Sequence, residues 1–142
     1  PKEAAGAAAR KGPDGAPSVM SAMVTALTDA DMRNLAGYLS QQKLTAPATA
    51  TNEKLVENGQ KIWRAGLPER NVPACAGCHS PDGAGIPSQY PRLAGQFPSY
   101  IEEQLKLFRA GHRANGPMML EIADRMADRD IKAVSDYAAG LR

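Results

Sequence analysis

The sequence predicts an all-α protein, and three observations support this fold class. Apolar residues recur at helical spacing in several stretches, capping patterns begin two of these stretches, and no stretch alternates at the period of a strand. Hydrophobic residues make up 43% of the 142 residues, but aromatic residues only 5%. A core made of side chains alone would therefore be thin.

The first part of the chain is expected to hold a loop, one helix and a linker. Residues 1–17 are rich in Ala, Gly and Pro, which predicts a loop. Thr28 and Asp31 form a capping box, which begins a helix that continues to Gln42. The apolar residues of this helix follow its repeat and are Met32, Leu35 and Leu39. Residues 44–50 form a low-complexity linker.

A second helix is expected to start near Thr51 or Asn52 and to stop by Gly66. Its apolar side consists of Leu55, Val56, Gly59, Ile62 and Trp63. Residues 75–80 fit a short helical turn, and the glycines and prolines that follow exclude long regular elements.

Two more helices are expected near the end of the chain. One follows Ser99, because Ser99 and Glu102 have the spacing of a capping box. Its inward residues are expected to be Ile101, Leu105 and Phe108. The last helix is expected over residues 128–141, and its apolar face consists of Ile131, Val134, Ala138 and Leu141.

Two segments of the chain repeat each other at an offset of 99 residues, with residues 19–43 aligned to residues 118–142. The identical pairs are Met20 and Met119, Asp29 and Asp128, Asp31 and Asp130, and Tyr38 and Tyr137. The repeat predicts two copies of one module, the first of which is present only in part. The alternative, two ordinary amphipathic helices that match by chance, stays open.

Charge and hydropathy exclude some functions. Seventeen basic and 15 acidic residues leave a net charge of +2 without a block of like charges, which disfavours nucleic-acid binding and a polybasic membrane anchor. No apolar run is long enough for a transmembrane helix, although peripheral membrane association stays open. The first residues lack an export-signal pattern, so we expect any such signal to be removed or to lie outside this chain.

The sequence Cys75-Ala76-Gly77-Cys78-His79 is the CxxCH signature for attachment of haem c. On a helical turn, residues spaced by three and four positions share a face. Cys75 and Cys78 can therefore form thioethers to one porphyrin edge, while His79 reaches the iron from the same side.

Three other kinds of site use cysteine or histidine in similar patterns, and each fits these residues less well. A structural zinc site needs about four ligands, and only His112 remains as a further Cys or His. A thioredoxin-like dithiol would lie beside a strand–helix unit, and no strand is predicted. A plain disulfide leaves the adjoining histidine unexplained. Haem attachment is therefore the favoured interpretation.

The second axial ligand is expected among the methionines. Met119 aligns with Met20 in the repeat, whereas Met118 aligns with Val19, which cannot ligate iron. Met119 is therefore our choice and Met118 the alternative, and a site in which Met119 only fills the core also stays open. The methionines that align with apolar residues are expected to fill the core and are Met23, Met32 and Met126.

With these residues the chain resembles class I c-type cytochromes, and more closely the dihaem cytochrome c4 family. The likeness covers residues 51–142, through CAGCH, PRLAGQ, the YIEEQLKLFRAG helix and a Met segment. It implies a class I cytochrome c fold around a covalently attached haem, with Gly59 and Tyr137 at a close crossing of the first and last helices. It also implies that the Pro91 carbonyl accepts the Nδ1 proton of His79 and that Leu93 packs on the haem.

Residues 1–43 resemble only the C-terminal part of a first cytochrome c domain, followed by the linker 44–50 and the complete domain 51–142. No first CxxCH motif is present in the chain. Either the preceding half was lost, cleaved or lies outside this sequence, which we favour, or the first domain has degenerated. Met20 keeps the ligand position and is a candidate axial ligand of a second haem.

These residues predict an electron carrier and not an enzyme. With imidazole and thioether both bound, the iron has no vacant position for oxygen, and an axial methionine raises the reduction potential. We expect a periplasmic protein, since bacteria attach haem c after export. The resemblance implies transfer from a quinol-oxidising complex to a terminal oxidase or another periplasmic acceptor. Alternatives are a cytochrome subunit of a larger dehydrogenase and a haem sensor that binds a gas.

Overall fold

The structure is a computed structural model that describes residues 10–43, 45–87 and 89–142. Within these residues the chain is all-α, and its pairings outside helices are isolated bridges. The helices are α1 (Val19–Val24), α2 (Asp29–Ser40), α3 (Glu53–Ala65), α4 (Ala76–His79), α5 (Pro98–Arg109), α6 (Pro117–Asp124) and α7 (Asp128–Ala139), with a 3-10 turn at Pro68–Arg70. None of the helices of the described ranges is long and apolar enough to cross a membrane.

The core forms where α3 crosses α7. A Cβ atom added to Gly59 would lie 2.3 Å from the Ala133 carbonyl oxygen and 2.6 Å from the Tyr137 Cβ atom. The two backbones therefore meet at a distance that only glycine permits, and the expected contact of Gly59 with Tyr137 is confirmed. The largest fully buried side chains lie around this crossing and are Trp63, Ile62, Ile131 and Ser135.

The first turn of α3 is held by α7 as well as by its own cap. Asn52 caps α3 through its side chain, which confirms the expected start of this helix. Asp136 is 4% exposed, and its carboxylate accepts hydrogen bonds from the Thr51 backbone N–H at 2.8 Å and the Asn52 backbone N–H at 3.1 Å. A negative charge near the N-terminus of a helix stabilises that helix. Asp136 on α7 therefore stabilises the start of α3 and holds it against α7.

Helix α7 is anchored at its other end by arginines. Asp130 is 3% exposed, accepts a hydrogen bond from the Ala127 N–H at 3.0 Å, and pairs with Arg70 at 2.7 Å. Arg109 of α5 binds the Asp128 carboxylate and donates to the Met126 carbonyl at 3.1 Å. The first turn of α7 is thereby tied both to α5 and to the 3-10 turn.

Helix α5 begins differently from the expectation. The N-cap is Phe97 and Pro98 is the first helical residue, so Ser99 lies inside the helix and does not cap it. The predicted capping box of Ser99 and Glu102 is therefore wrong, because proline favours the first helical position and shifts the start forward. The inward residues are as expected, since Ile101, Leu105 and Phe108 are buried.

The predicted capping box of Thr28 and Asp31 is present, but the helix it begins has no buried residue. Apolar side chains of α1 and α2 are exposed: Val19, Met20, Met23, Leu35, Tyr38 and Leu39. The expectation that Met23 fills the core is wrong, since its side chain is 64% exposed. The apolar faces of α1 and α2 follow the helical repeat, but the described part of the chain supplies no element that buries them.

The N-terminal segment and the linker nevertheless touch the second half of the chain. The Lys11 N–H donates to the His112 carbonyl at 2.8 Å, and Arg10 forms a bridge with Arg113. In the linker, the Ala48 N–H donates to the Gly95 carbonyl at 3.0 Å, and Arg142 donates to the Ala48 carbonyl at 2.9 Å. The chain at Ala48 is therefore bonded both to the loop at Gly95 and to the C-terminal residue Arg142.

Candidate haem site

Helix α4 is one turn long and presents the CxxCH motif. Cys75 is its N-cap, and Cys78 and His79 lie within the helix. The His79 N–H donates to the Cys75 carbonyl at 2.9 Å, which is the bond that places residues four positions apart on one face. The two cysteines are not joined in a disulfide, and both are partly exposed. The local structure is thus the helical turn that the sequence predicts.

The imidazole of His79 is fixed by a backbone carbonyl. His79 is 8% exposed, and its Nδ1 atom lies 2.9 Å from the Pro91 carbonyl oxygen. Because a carbonyl only accepts, Nδ1 carries the proton, and Nε2 is left with its lone pair for a metal. This is the contact that the resemblance implies for Pro91.

A glycine allows the Pro91 segment to reach His79. Gly85 has φ +75°, and a Cβ atom there would lie 2.5 Å from the Tyr90 carbonyl oxygen and 2.6 Å from the Pro91 carbonyl carbon. The Gly85 N–H also donates to the His79 carbonyl at 2.9 Å. The loop therefore folds back on α4 only because residue 85 has no side chain.

Two aromatic residues beside His79 were not identified from the sequence as part of the site. The centroid of the Trp63 ring lies 6.4 Å from the centroid of the His79 imidazole. The Tyr90 and His79 rings are arranged edge to face, with their centroids 6.1 Å apart. The indole Nε1–H donates to the Pro81 carbonyl at 3.1 Å. Trp63 and Tyr90 are far from His79 in the sequence, so no short motif links them to it. Only the structure shows that their rings lie beside the imidazole.

The cysteine environment disfavours thiolate chemistry. Burial raises the pKa of the Cys75 thiol to about 11, with the nearby Cys78 as a smaller cause in the same direction. Reactive dithiols have lowered pKa values instead. Within the residues that the structure describes, no group of three or more Cys, His, Asp or Glu side chains could hold a metal. Neither a redox dithiol nor a structural zinc site fits this arrangement.

The two candidate methionine ligands differ in burial. Met119 is partly buried and packs against the hydrophobic core, as do Cys75 and Leu93. Met118 is 54% exposed and lines a surface pocket of about 620 Å³. Burial therefore favours Met119. Of the methionines expected in the core, Met126 is 3% exposed and agrees with that expectation.

Two polar residues shortly after the end of α5 are partly buried. The Nδ1 atom of His112 is buried without a hydrogen-bond partner among the described residues. Arg113 stacks over the Phe108 ring at 4.3 Å and donates to Gln104 at 2.9 Å. Burial lowers the pKa of Arg113 to about 10, and the positive charge of Arg10 acts in the same direction.

The residues present fit haem c. Two cysteines that form no disulfide lie on one helical turn, a buried imidazole has its Nδ1 engaged and its Nε2 available, and the partly buried Leu93 and Met119 pack against the core. Cys75 and Cys78 would hold the macrocycle through thioethers, with His79 as the axial nitrogen ligand. Met20 lies on α1 at 63% exposure, outside this arrangement.

The amino-acid sequence of this chain is similar to those of known proteins. The family model of cytochrome c matches residues 56–141. Cytochrome c4 of Azotobacter vinelandii is 41% identical over 126 residues, which cover 86% of this chain and 59% of that protein. A thiosulfate dehydrogenase electron acceptor of Stutzerimonas stutzeri is 35% identical over 128 residues, which cover 87% of this chain and 58% of that protein. This chain therefore spans about three fifths of the length of these curated relatives.

A solved structure shows the same arrangement of helices. Reduced recombinant cytochrome c4 from Pseudomonas stutzeri superposes with a TM-score of 0.81 at 35% sequence identity. The superposition covers 94% of this chain and 69% of that chain. Similarity therefore extends beyond the segment that the family model matches.

Proposed function

The chain belongs to the cytochrome c family, on its cytochrome c4 branch, and has the class I cytochrome c fold that the resemblance implies; from this premise we propose that it carries single electrons between redox proteins. The observation that carries this proposal is the His79 imidazole on α4, which is buried, shares its helical turn with Cys75 and Cys78, and is held through Nδ1 by the Pro91 carbonyl. That geometry suits a permanent iron ligand on a covalently attached haem.

The residues around the site would hold and tune the cofactor. Haem c, when bound, supplies an iron that gains and loses one electron. The Pro91 carbonyl fixes the tautomer of His79 and strengthens the imidazole as a ligand. Met119 is proposed as the opposite ligand, because it is partly buried at the same core and Met118 is exposed. A site closed by imidazole and sulfur transfers electrons without binding oxygen or peroxide.

The ligand assignment is tested with matched methionine variants. The ferric holoprotein should show the far-red charge-transfer band of a sulfur–iron bond, and the reduced protein should not bind carbon monoxide rapidly. Met119→Ala should abolish the band and admit carbon monoxide. Met118→Ala removes the same thioether from an exposed position, so it should keep the band and exclude carbon monoxide as the parent protein does. Rapid carbon monoxide binding by the parent protein would contradict the carrier function and support a gas sensor.

The N-terminal part is proposed to belong to a first haem domain. Helix α2 spans Asp29–Ser40 and α7 spans Asp128–Ala139. The first residues of the two helices are 99 positions apart, and so are the last residues, which is the offset of the sequence repeat. The face of α7 that carries Tyr137 is covered by α3, whereas Tyr38 on α2 is 63% exposed. Residues 1–43 are therefore proposed as the end of a first domain, 44–50 as a linker and 51–142 as a complete domain, with Met20 as a ligand of a second haem.

Counting haems tests this division. Protein purified from its natural source should carry two covalently bound haems on a polypeptide longer than 142 residues. A natural polypeptide of this length with a single haem would contradict the proposal and favour a degenerate first domain. The second haem would be attached by a CxxCH motif outside this sequence, since Cys75 and Cys78 are the two cysteines of the chain.

The location and partners are proposed on the same basis. The protein is assigned to the periplasm, where bacteria attach haem c, and to transfer from a quinol-oxidising complex to a terminal oxidase. A second function, acceptor or subunit for a periplasmic dehydrogenase, is favoured by the relative named thiosulfate dehydrogenase electron acceptor. Reduction by quinol and a quinol-oxidising complex would support the first function. Co-purification with a dehydrogenase, and reduction by it alone, would support the second.

A further inference from the structure

Trp63 makes a hydrogen bond that joins α3 to the segment directly after the candidate iron ligand. It is the single tryptophan of the sequence and is 1% exposed. Its indole Nε1–H donates to the Pro81 carbonyl at 3.1 Å, and Pro81 follows His79 by two residues. A buried indole N–H needs an acceptor, because water does not reach it to replace a lost bond.

The residue between His79 and Pro81 has an unfavourable backbone conformation. Ser80 has φ +69° and ψ 152°, a region of backbone space that is occupied almost only by glycine. A following proline further restricts the preceding residue, and favours negative φ values there. Such a turn persists only when surrounding contacts hold it in place.

Two hydrogen bonds within the loop hold Ser80 in this turn, and a third, from Trp63, holds the next residue, Pro81. The Ser80 hydroxyl donates to the Gly85 carbonyl at 3.1 Å, and the Gly83 N–H donates to the Ser80 carbonyl at 3.0 Å. The indole bond to Pro81 connects the turn to α3, which α7 in turn packs against at Gly59. The indole bond thereby ties the close crossing of α3 and α7 to the chain where it leaves α4.

We propose that Trp63 is a positioning residue for His79, and that the indole N–H fixes the ring orientation through the strained turn at Ser80. This inference rests on the proposed function, in which His79 ligates haem iron. The Pro91 carbonyl fixes one ring nitrogen, and the Tyr90 edge and the tilted indole face border the imidazole. The indole bond to Pro81 supplies the remaining restraint, on the backbone that carries the ring.

The experiment is done on the chain of 142 residues, in which residue 63 is the one tryptophan, so that an analogue enters at that position alone. The holoprotein is produced in a tryptophan auxotroph with β-(3-benzothienyl)alanine, in which sulfur replaces the indole N–H at nearly the same shape. The matched control carries 5-fluorotryptophan, which keeps the N–H. The readout is the set of haem methyl proton shifts in the ferric protein, since these shifts report the plane of the axial imidazole, and thermal unfolding is followed in parallel.

The benzothienyl protein should show shifted haem methyl resonances, and the fluorotryptophan protein should retain the parent pattern. Identical patterns in all three proteins, or an equal shift with both analogues, would overturn the inference and leave Trp63 as packing alone. Absence of covalent haem from all three proteins would instead overturn the proposed function, and the inference with it.

Two further measurements extend the comparison of the analogue proteins. In the reduced parent protein the indole N–H should exchange with solvent about 100-fold more slowly than in free tryptophan, and exchange at the free rate would overturn the inference. In Ser80→Gly, where the turn is relaxed, the shift caused by benzothienylalanine should become smaller. A shift of the same size would show that Trp63 does not act through Ser80.

Discussion

The crossing of α3 and α7 makes Gly59→Ala the most informative stability variant. The added methyl would lie 2.3 Å from the Ala133 carbonyl oxygen, 2.6 Å from the Tyr137 Cβ atom and 3.0 Å from the Ala133 carbonyl carbon. These are backbone atoms and a first side-chain atom of a helix, so none of them can rotate away. The two helices must separate instead.

The magnitude follows from two opposing effects. Non-bonded carbon atoms are most stable at about 3.5 Å, so the helices must move apart by roughly 1 Å. Overpacking of this kind costs up to about 3 kcal/mol, whereas replacing glycine by alanine inside a helix stabilises it by about 1 kcal/mol. The free energy of unfolding should therefore fall by about 2 kcal/mol, which corresponds to a midpoint lower by roughly 8 °C in a protein of this size.

The assay is thermal and urea unfolding of the ferric holoprotein, followed by far-ultraviolet circular dichroism. Gly37→Ala is the matched control, because Gly37 lies inside α2 and a Cβ atom there would meet no atom within 4 Å. The control should unfold at or slightly above the parent midpoint. If Gly59→Ala is as stable as the parent protein or more stable, the proposed close crossing is refuted.

Three more variants test separate parts of the structure. Asp136→Asn should lower the free energy of unfolding by about 1.5–3 kcal/mol, because its charged oxygens accept the Thr51 and Asn52 N–H groups; an unchanged urea midpoint would contradict this. Arg109 lowers the pKa of Asp128 below 3.8, so the stabilisation by this pair is present above pH 3.8 and is lost as the pH falls through the lowered value. Arg109→Gln should raise that pKa in a carboxyl NMR titration. Replacing both motif cysteines by alanine should let acidified organic solvent extract the haem, which the parent protein should retain.

The features that were predictable from sequence are those with a local cause. The Thr28 and Asp31 box caps α2 because both bonds lie within four residues, and the CxxCH residues form a helical turn for the same reason. The crossing at Gly59 was predictable from the family resemblance, since a glycine inside an amphipathic helix costs stability unless a neighbour needs the space.

The start of α5 and the existence of α6 were missed although the sequence carries their signals. Pro98 and Pro117 each occupy a first helical position, where the missing N–H has no cost and the fixed φ fits the helix. At Pro98 this preference prevails over the capping pattern of Ser99. At Pro117 the same preference begins an eight-residue helix, Pro117–Asp124, which was not expected from the sequence.

The contacts that orient His79 could not be predicted from sequence. The Pro81 carbonyl lies 18 residues from Trp63, and a backbone oxygen carries no residue-specific signal. The positive φ of Ser80 could not be predicted from the sequence either, because serine seldom adopts that conformation. The sequence thus names the ligand, whereas the surrounding hydrogen bonds follow from how α3 packs on the loop.

Covalent haem attachment is tested most directly by the mass of the tryptic peptide that spans residues 71–92, isolated from the exported protein. This peptide should carry one haem, bound through Cys75 and Cys78, and neither cysteine should react with an alkylating reagent. Recovery of the peptide without haem and with both cysteines alkylated, from protein matured in a cell that attaches haem c to other proteins, would contradict it.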